Sequence, residues 1–422
     1  MQAGSGAQTN QQIRRLKGYT DSVRTNEPFS LYVHIPFCTA KCTYCDFNSY
    51  AGQDSLMTPY ARAVETEARL WSPHVAGRRV ETVFFGGGTP SLLPLPEMQI
   101  IMTALKERFE IAADAEISLE ANPGTVDAGH LAGLKRLGFN RISFGVQSFH
   151  DDELRTLERI HDGDEVDDAY RWAREAGFEN VNLDLIYGLQ WQTLEGWQTN
   201  LERAIAMEPE HLSLYALTLE DGTPLTRDVA RGRSVGPDLD LQADMFEWSI
   251  ERMARDGYQH YEISNWSRPG RECRHNLVYW RNGDWLGLGA GAHSHLLGER
   301  FADAASPSRY IALVEQQATG NGQQGDDGGA LPAMLQIGMR EGPDEAREMS
   351  ETAFLALRLR EGLDMSSFER RFGVAFERVF GEALAETQAL GLTEVVDGRL
   401  RLRDEAVLLG DEAFVRFLSP AV

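Results

Sequence analysis

The sequence predicts an α/β protein in which a partial (β/α)6 TIM-like barrel is followed by a smaller C-terminal winged-helix-like domain. Six short β-rich runs alternate with segments of helical periodicity between residues 28 and 260. Such alternation is typical of a parallel sheet covered by helices. Polar or glycine-rich residues follow almost every run, and a barrel brings those strand ends together on one face. A barrel therefore explains the pattern better than a flat sheet.

The six predicted strands are rich in β-branched and aromatic residues, which favour strands. They are SLYVHI (30–35), VETVFF (80–85), EISLEA (116–121), RISFGV (141–146), VNLDLI (181–186) and HLSLYA (211–216). Between them apolar residues recur three or four positions apart, which predicts helices with one buried face. The helical segments are PYARAVETEARLW, PEMQIIMTALKERF, DAGHLAGLKRLG, EVDDAYRWAREAG, LEGWQTNLERAIA and LQADMFEWSIERMARDG.

The pattern changes beyond residue 257, which indicates further structural units. A stretch rich in glycine, aromatic residues and histidine is followed by TGNGQQGDDGG (319–329), whose composition is that of a linker. Helical segments then lead to two short strands around Asp397 and Gly398, a hairpin signal. We therefore predict a disordered tail (1–27), the partial barrel (28–260), a barrel-closing region (261–318), a linker (319–349) and the winged-helix-like domain (350–422).

Composition and charge limit the possible partners. The chain is 42% hydrophobic and 25% charged, as in an ordinary globular protein, and its formal charge is −23. Such a charge repels phosphate backbones and anionic lipid, so we expect no nucleic-acid partner and membrane contact only through another protein. No apolar run resembles a membrane span or a secretory signal, which predicts a cytoplasmic protein. Basic residues before residue 27 weakly resemble a transit peptide, although a polar tail explains them equally well.

Three cysteines in HIPFCTAKCTYCDF (34–47) are candidate metal ligands, because thiolates prefer zinc or iron–sulfur clusters. Cys38, Cys42 and Cys45 follow the first predicted strand. A four-iron cluster held by three thiolates keeps one iron open for a further ligand, whereas a structural zinc site would require a fourth protein ligand. The candidates for that fourth ligand are His34, Asp46 and Cys273.

A glycine-rich segment, FFGGGTPS, ends the second predicted strand. Because glycines lack side chains, a ligand can approach the backbone at Gly86 to Gly88, and exposed carbonyls and amides could bind an amino-acid head group. A phosphate loop is excluded since no Gly-Lys-Ser/Thr follows. A plain glycine turn remains an alternative.

Together these motifs resemble the radical S-adenosylmethionine (SAM) proteins. More narrowly, YVHIPFC, FFGGGTPS, EANPGT, ISFGVQSF, LDLIYGL and YEISNWSRPGRECRHNLVYW resemble the oxygen-independent coproporphyrinogen III oxidases and their relatives, the HemW haem chaperones. The resemblance covers most of the chain. It implies a radical SAM barrel that holds a [4Fe-4S] cluster on the three cysteines, SAM on the open iron, and an electron donor.

The resemblance also implies which residues contact SAM. Gly87, Gly88 and Thr89 would hold its methionine end, Tyr32 would contact the cofactor, and Glu120 would supply a carboxylate. The remaining candidates follow the fourth and fifth strands: Gln147, Arg159 and Asp184. We expect Arg159 in the helix after the fourth strand, and a ribose hydroxyl or an arginine beside Asp184, because a buried carboxylate without a partner is costly. Structural roles in the core, a loop or a helix cap remain open for each.

Two features distinguish this chain from the oxidases that it resembles. Their cluster motif runs CxxxCxxCxC, whereas here the last position is Phe47, as in the HemW group. In addition, RHNLVYW (274–280) matches the HNxxYW pattern associated with haem, with His275 as the candidate iron ligand. The alternative for His275 is a hydrogen-bonded position in a packed aromatic loop. Cys273 is a second candidate contact, and no role is assigned to His293 or His295.

These features predict a haem chaperone. Such a protein would bind haem together with the [4Fe-4S] cluster and SAM, and would transfer haem to an acceptor protein of unknown identity. The alternative is an oxygen-independent coproporphyrinogen III oxidase, which decarboxylates propionate side chains. We leave open whether the protein is an enzyme, because Phe47 removes the last cysteine of the oxidase motif.

Overall fold

A computed structural model describes residues 27–319 and 339–418 of the chain. Its strands are β1 (Phe29–Ile35), β2 (Phe37–Cys38), β3 (Tyr50–Ala51), β4 (Arg79–Gly87), β5 (Glu110–Ala121), β6 (Arg141–Gln147), β7 (Val181–Tyr187), β8 (His211–Ala216), β9 (Gln259–Glu262), β10 (Asn265–Ser267), β11 (Trp285–Leu288), β12 (His293–Leu296), β13 (Glu299–Ala302), β14 (Met339–Glu341), β15 (Leu363–Asp364), β16 (Thr393–Val396) and β17 (Arg399–Leu402).

The α-helices connect and cover these strands. They are α1 (Met57–Trp71), α2 (Leu95–Arg108), α3 (Ala128–Leu137), α4 (Asp151–Thr156), α5 (Gly163–Glu175), α6 (Leu194–Ala206), α7 (Pro224–Ala230), α8 (Leu239–Arg255), α9 (Arg274–Trp280), α10 (Pro307–Ala318), α11 (Glu345–Ala356), α12 (Met365–Phe372), α13 (Phe376–Ala389) and α14 (Gly410–Phe414).

A 12-stranded sheet forms the main body, in the order β14-β13-β12-β11-β1-β4-β5-β6-β7-β8-β10-β9. The six predicted strands are β1 and β4 to β8, and they pair in parallel in chain order. β11 adds in parallel beside β1, and antiparallel strands extend both edges of the sheet. The α/β class with a partial barrel is therefore confirmed. All parallel carboxyl ends lie on one side, where the loops after them converge.

Local sequence signals explain where the covering helices begin and end. The Asp127 side chain caps α3 by accepting a hydrogen bond from the His130 amide at 2.7 Å, and Gly138 ends the helix with a φ of 108°. Asp162 and Glu165 form a capping box at the start of α5. These caps fix where the helices begin and end, while the continuous apolar runs of the buried parallel strands supply the core on which the helices pack.

The C-terminal unit has its own apolar core and a small three-stranded sheet in the order β15-β17-β16. The predicted hairpin is confirmed as β16 and β17, joined through Asp397 and Gly398, whose φ angles are 51° and 76°. The unit contacts the main sheet through a buried pair, because His295 Nε2 on β12 lies 2.5 Å from Glu348 Oε1 on α11. Glu348 Oε2 also accepts a hydrogen bond from Arg371 at 2.9 Å.

The predicted tail (1–27), except for Glu27, lies outside the described residues. Residues 320–338 of the predicted linker lie outside them as well. The end of the predicted linker differs from expectation. Residues 339–341 form the edge strand β14 on β13, and α11 begins at Glu345 after the Asp344 side chain caps it. A strand this short carries no periodic signal. Within the described ranges no helix combines the length and the apolar character needed to cross a membrane.

Candidate functional site

The loop after β1 brings three thiols to one cavity at the carboxyl ends of the parallel strands. Cys38 is buried at the end of β2, while Cys42 and Cys45 are half-buried in the following turn, in which the Cys45 amide donates to the Cys42 carbonyl at 3.3 Å. The three cysteines are free thiols. They line a cavity of about 360 Å³, which we call the cysteine cavity.

The cysteine cavity collects most of the residues that the sequence suggested. They come from five strands of the parallel sheet or from the loops after them, and all but Asp184, which lies within β7, stand at or beyond a strand's carboxyl end. The suggested residues that line it are Cys38, Cys42, Cys45, Gly87, Gly88, Thr89, Glu120, Gln147, Arg159 and Asp184.

The donor set of the cysteine cavity fits an iron–sulfur cluster better than a single zinc ion. Zinc–sulfur bonds of about 2.3 Å keep thiolates on one ion within about 4 Å of each other. Among the described residues, the one group of three His, Cys, Asp or Glu ligand atoms within 4.8 Å of one another is His295, Glu348 and Glu351. The three thiols form no such group, so their sulfur atoms are spread more widely than one zinc ion would hold them.

The proposed fourth zinc ligands are mostly engaged elsewhere. His34 Nε2 lies 2.8 Å from the Asn48 carbonyl and Nδ1 lies 3.0 Å from the Tyr32 hydroxyl. Cys273 is buried, and its sulfur lies 3.7 Å from Glu116 Oε1, away from the cysteine cavity. Asp46 alone of the three lines that cavity, and its side chain is exposed.

Arg159 places a positive charge beside the thiols. Its Nη1 lies 3.6 Å from Cys42 Sγ, and its Nη2 donates to the Gly145 carbonyl at 2.7 Å. A guanidinium at this position can offset negative charge that gathers at the three cysteines. The expected helical position was wrong, because α4 ends at Thr156 and Arg159 lies in the loop that follows.

Close packing alone requires the glycine segment at the end of β4. Gly87 has a φ of 113°, and a Cβ there would lie 2.5 Å from the His34 ring. A Cβ at Gly88 would lie 2.7 Å from the Phe37 carbonyl oxygen. Glycine is thus the residue that allows β4 to approach the cysteine loop.

The amides of this segment are not free for a ligand, so the prediction of exposed amides was wrong. They donate to groups of the protein itself: Gly87 to Glu120 Oε2 at 3.2 Å, Gly88 to the Ile35 carbonyl at 2.9 Å and Thr89 to the Phe37 carbonyl at 2.8 Å. The Thr89 hydroxyl lies 3.5 Å from Cys38 Sγ. What the segment offers a ligand is backbone without side chains at Gly87 and Gly88, which line the cysteine cavity.

Two carboxyls lie deep in the cysteine cavity. Although part of the Glu120 side chain is exposed, surrounding protein removes its carboxyl from bulk water and, together with the charge of Asp184, raises its pKa to about 8. Burial also raises the pKa of Asp184. Asp184 accepts hydrogen bonds from Ser143 Oγ at 2.9 Å and from Asn182 Nδ2 at 2.7 Å, whereas Arg141 acts on it only as a charge at a distance. These groups take the place of the expected arginine contact.

Gln147 ends β6 in a strained conformation. Its φ is 66°, in the left-handed region, and the pairing with β7 is irregular between Gly145 and Gln147. A Cβ at Gly145 would lie 3.0 Å from Gln147 Nε2 and 3.3 Å from Arg159 Nη2. The Gln147 and Arg159 side chains therefore both pack directly against this glycine. Such strain concentrates at binding sites, where the surrounding structure maintains it.

Tyr32 lies outside the cysteine cavity and lines a second, larger one. This cavity has a volume of about 650 Å³ and lies between the main sheet and α11; we call it the aromatic cavity. Its walls include Tyr279, Trp280 and Trp285. The two cavities adjoin, because Phe47, Gly87 and Glu120 line both.

His275 reaches neither cavity. The side chain is fully buried, with Nδ1 2.7 Å from Thr82 Oγ1 and Nε2 2.8 Å from the Tyr279 hydroxyl, and its ring stacks on Phe84 at a centroid distance of 5.1 Å. Burial lowers its pKa to about 3. This geometry is that of a hydrogen-bonded, packed position, as in the alternative considered for His275, but RHNLVYW forms the helix α9 and not the expected loop.

Sequence reasoning gave no role to several residues of the aromatic cavity. They come from segments distant in the chain, and the GAHSH segment was the one signal that could have located part of this wall. The residues are Trp285, His293, Arg300, Glu351, Phe354 and Leu355.

Comparison with known proteins agrees with this architecture. Residues 32–204 match the model of the radical SAM superfamily, and residues 344–409 match the HemN C-terminal domain. The solved structure of coproporphyrinogen III oxidase (HemN) from Escherichia coli, described as a radical SAM enzyme, superposes with a TM-score of 0.78 at 27% identity, over 95% of this chain and 93% of that one.

Curated relatives identify the family of the chain more narrowly than the superfamily model does. The heme chaperone HemW of Bacillus subtilis is 33% identical over 391 residues, covering 92% of this chain and 99% of the relative. HemW of Escherichia coli is 45% identical over 267 residues, which are 63% of this chain and 70% of the relative. The chain therefore belongs to the HemW family of radical SAM proteins.

Proposed function

We propose that this protein is a haem chaperone that holds haem beside a [4Fe-4S] cluster with SAM on its open iron, and that it transfers haem to an acceptor protein. The observation that carries the proposal is the pair of adjoining cavities, one lined by three thiols and the other by aromatic rings. A thiol-lined cavity suits a cluster, and a cavity whose walls combine aromatic rings with several polar groups suits a flat, largely apolar ligand such as a porphyrin.

In this proposal Cys38, Cys42 and Cys45 bind the cluster. The bound cluster would supply one open coordination site and one-electron chemistry, with an electron from an external donor. Arg159 offsets the negative charge of the thiolates, and a reducing cytoplasm would keep the thiols free. The glycine surface after β4, with Glu120, Gln147 and Asp184, would bind and orient SAM.

A coproporphyrinogen III oxidase remains the second candidate, since the fold superposes closely on HemN. Phe47 argues against it. The residue stands where the oxidase motif has its last cysteine, and a phenyl ring can neither ligate a metal nor donate a proton. Its side chain is 60% exposed and lines both cavities, so it offers an apolar face to a ligand at their junction.

Anaerobic assays of the cluster-reconstituted protein would separate the two candidates. One sample receives haem, and the other receives coproporphyrinogen III with SAM and a reductant. We expect a stoichiometric haem spectrum in the first, followed by transfer of that haem to an apo-haem protein, and no decarboxylated product in the second. Formation of protoporphyrinogen would support the oxidase and contradict the chaperone.

A further inference from the structure

Of the described residues that line the aromatic cavity, two are histidines, and they differ in availability. His34 is buried, and both of its ring nitrogens are engaged, with the Tyr32 hydroxyl at 3.0 Å and with the Asn48 carbonyl at 2.8 Å. His293 begins β12, and its side chain is exposed at the cavity wall. Within the described ranges, no hydrogen bond forms on the His293 ring.

The strand holds the His293 ring in place without using its nitrogens. The His293 carbonyl accepts a hydrogen bond from Trp285 Nε1 at 3.0 Å, and the residue pairs with Ala302 on β13. Partial burial, with the charge of Arg300, lowers the pKa of His293 and so favours the neutral imidazole. Neutral imidazole is the form that ligates iron.

The other walls of the cavity suit a porphyrin. Tyr279 and Trp285 contact each other edge to face at a centroid distance of 4.7 Å, while Phe354 and Leu355 approach from α11. The cavity volume of about 650 Å³ falls in the range of about 300–1,000 Å³ that is typical of small-molecule sites. The cavity therefore offers apolar faces together with one free imidazole.

The charges along this wall are largely balanced. Glu351 pairs with Arg300 at 2.7 Å, and Glu120 has a pKa of about 8, so it is mostly protonated near neutral pH. An uncompensated carboxylate would repel the propionates of haem. Glu120 and Glu351 therefore leave little uncompensated negative charge on this wall.

We propose that the aromatic cavity is the haem site and that a ring nitrogen of His293, rather than His275, ligates the haem iron. The proposal rests on the haem-chaperone function proposed above and adds the location and the ligand. It follows from the contrast between the three histidines. His34 and His275 each have both ring nitrogens engaged inside the protein, whereas His293 lines the cavity and its ring has no hydrogen bond to the described residues.

The test is an anaerobic titration of the full-length protein with haemin, monitored by the Soret band and by electron paramagnetic resonance of the ferric iron. His293→Ala is compared with wild type and with His74→Ala, which removes an exposed histidine outside both cavities. His275→Gln tests the motif histidine while retaining a hydrogen-bonding side chain. Circular dichroism establishes that each variant is folded.

We expect imidazole-ligated spectra for wild type, His74→Ala and His275→Gln. His293→Ala should lose that signature and at least about tenfold in haem affinity, and added imidazole should restore the spectrum. Unchanged spectra and affinity in folded His293→Ala would overturn the ligand assignment alone, since haem would still bind. Absence of stoichiometric haem binding by wild type would overturn the chaperone function and the assignment with it.

Discussion

Phe47 and Glu120 occupy the boundary between the two cavities, together with the backbone of Gly87. Each acts through a different property. Phe47 contributes an exposed apolar face, Glu120 a carboxyl that is mostly protonated near neutral pH, and Gly87 a backbone conformation that other residues rarely adopt. The site therefore depends on the desolvation of the Glu120 carboxyl and on the steric fit at Gly87. Single substitutions at these two residues test each property directly.

Replacing Glu120 should change how stability depends on pH. Its carboxyl has a folded pKa of about 8, above the ordinary value of 4.5, so the folded state binds more protons than the unfolded state between these values. Stability of the wild type therefore falls as pH rises through this window. Glu120→Gln should raise the free energy of unfolding by about 1–2 kcal/mol near pH 8.5 and much less near pH 5, with partial exposure screening the effect.

Urea unfolding of the protein without cluster, at both pH values, measures this difference. Glu107→Gln is the matched control, because Glu107 is exposed and lies outside both cavities. Equal stabilities of Glu120→Gln and wild type at the higher pH would show that the Glu120 carboxyl is not desolvated.

Gly87→Ala should destabilise the protein for two reasons: the positive φ and the contact of a new Cβ with the His34 ring at 2.5 Å. Gly52→Ala is the matched control, since Gly52 has a φ of 71° but no atom within 4 Å of the Cβ position. We expect about 1–2 kcal/mol for the control from strain alone and about 3–4 kcal/mol for Gly87→Ala. Thermal or urea unfolding measures both, and similar losses would mean that His34 moves aside freely.

At the scale of elements, the parallel topology made much of the fold and the cysteine cavity predictable. Strands buried on both faces give continuous apolar runs, and their carboxyl ends must meet, so functional residues after successive strands could be grouped from sequence alone. The strands β9 to β14, which extend the sheet on both sides of the parallel core, were missed because three or four residues carry no clear period. Short helices are limited in the same way. Because α4 has six residues, the sequence did not reveal that it ends before Arg159.

The aromatic cavity could not be predicted in the same way. Beyond the residues at the boundary with the cysteine cavity, its walls come mainly from β1, the region of α9 to β13, and α11, which only tertiary packing brings together. Nor does spacing reveal which way a side chain points. His275 in the RHNLVYW motif faces the core, whereas His293, outside any recognised motif, faces the cavity.

At the scale of the whole molecule, the C-terminal unit completes a site that the main sheet begins. α11 contributes Glu351, Phe354 and Leu355 to the aromatic cavity. The same helix is held to the sheet by Glu348, which contacts His295 at 2.5 Å and Arg371 at 2.9 Å. Haem affinity should therefore depend on this contact, even though it lies outside the cavity lining.

Glu348→Ala tests that dependence. It removes the carboxylate that joins His295 to Arg371, so we expect a loss of about 3–5 kcal/mol in the free energy of unfolding. Haem titration of the folded fraction should show weaker binding, because α11 is less firmly placed. Glu345→Ala, an exposed acid on the same helix, serves as the control and should match wild type in both measurements. Unaltered haem affinity in folded Glu348→Ala would mean that α11 does not shape the site.

The most direct test of two separate, adjoining sites is haem binding without the thiols. Thiolates also ligate haem iron, so the cysteines are the main rival to the aromatic cavity. In an anaerobic titration, the triple variant Cys38→Ser, Cys42→Ser, Cys45→Ser should bind haem with the same stoichiometry and Soret spectrum as wild type, while only reconstituted wild type shows iron–sulfur absorption. Loss of the haem spectrum in the folded triple variant would contradict this arrangement.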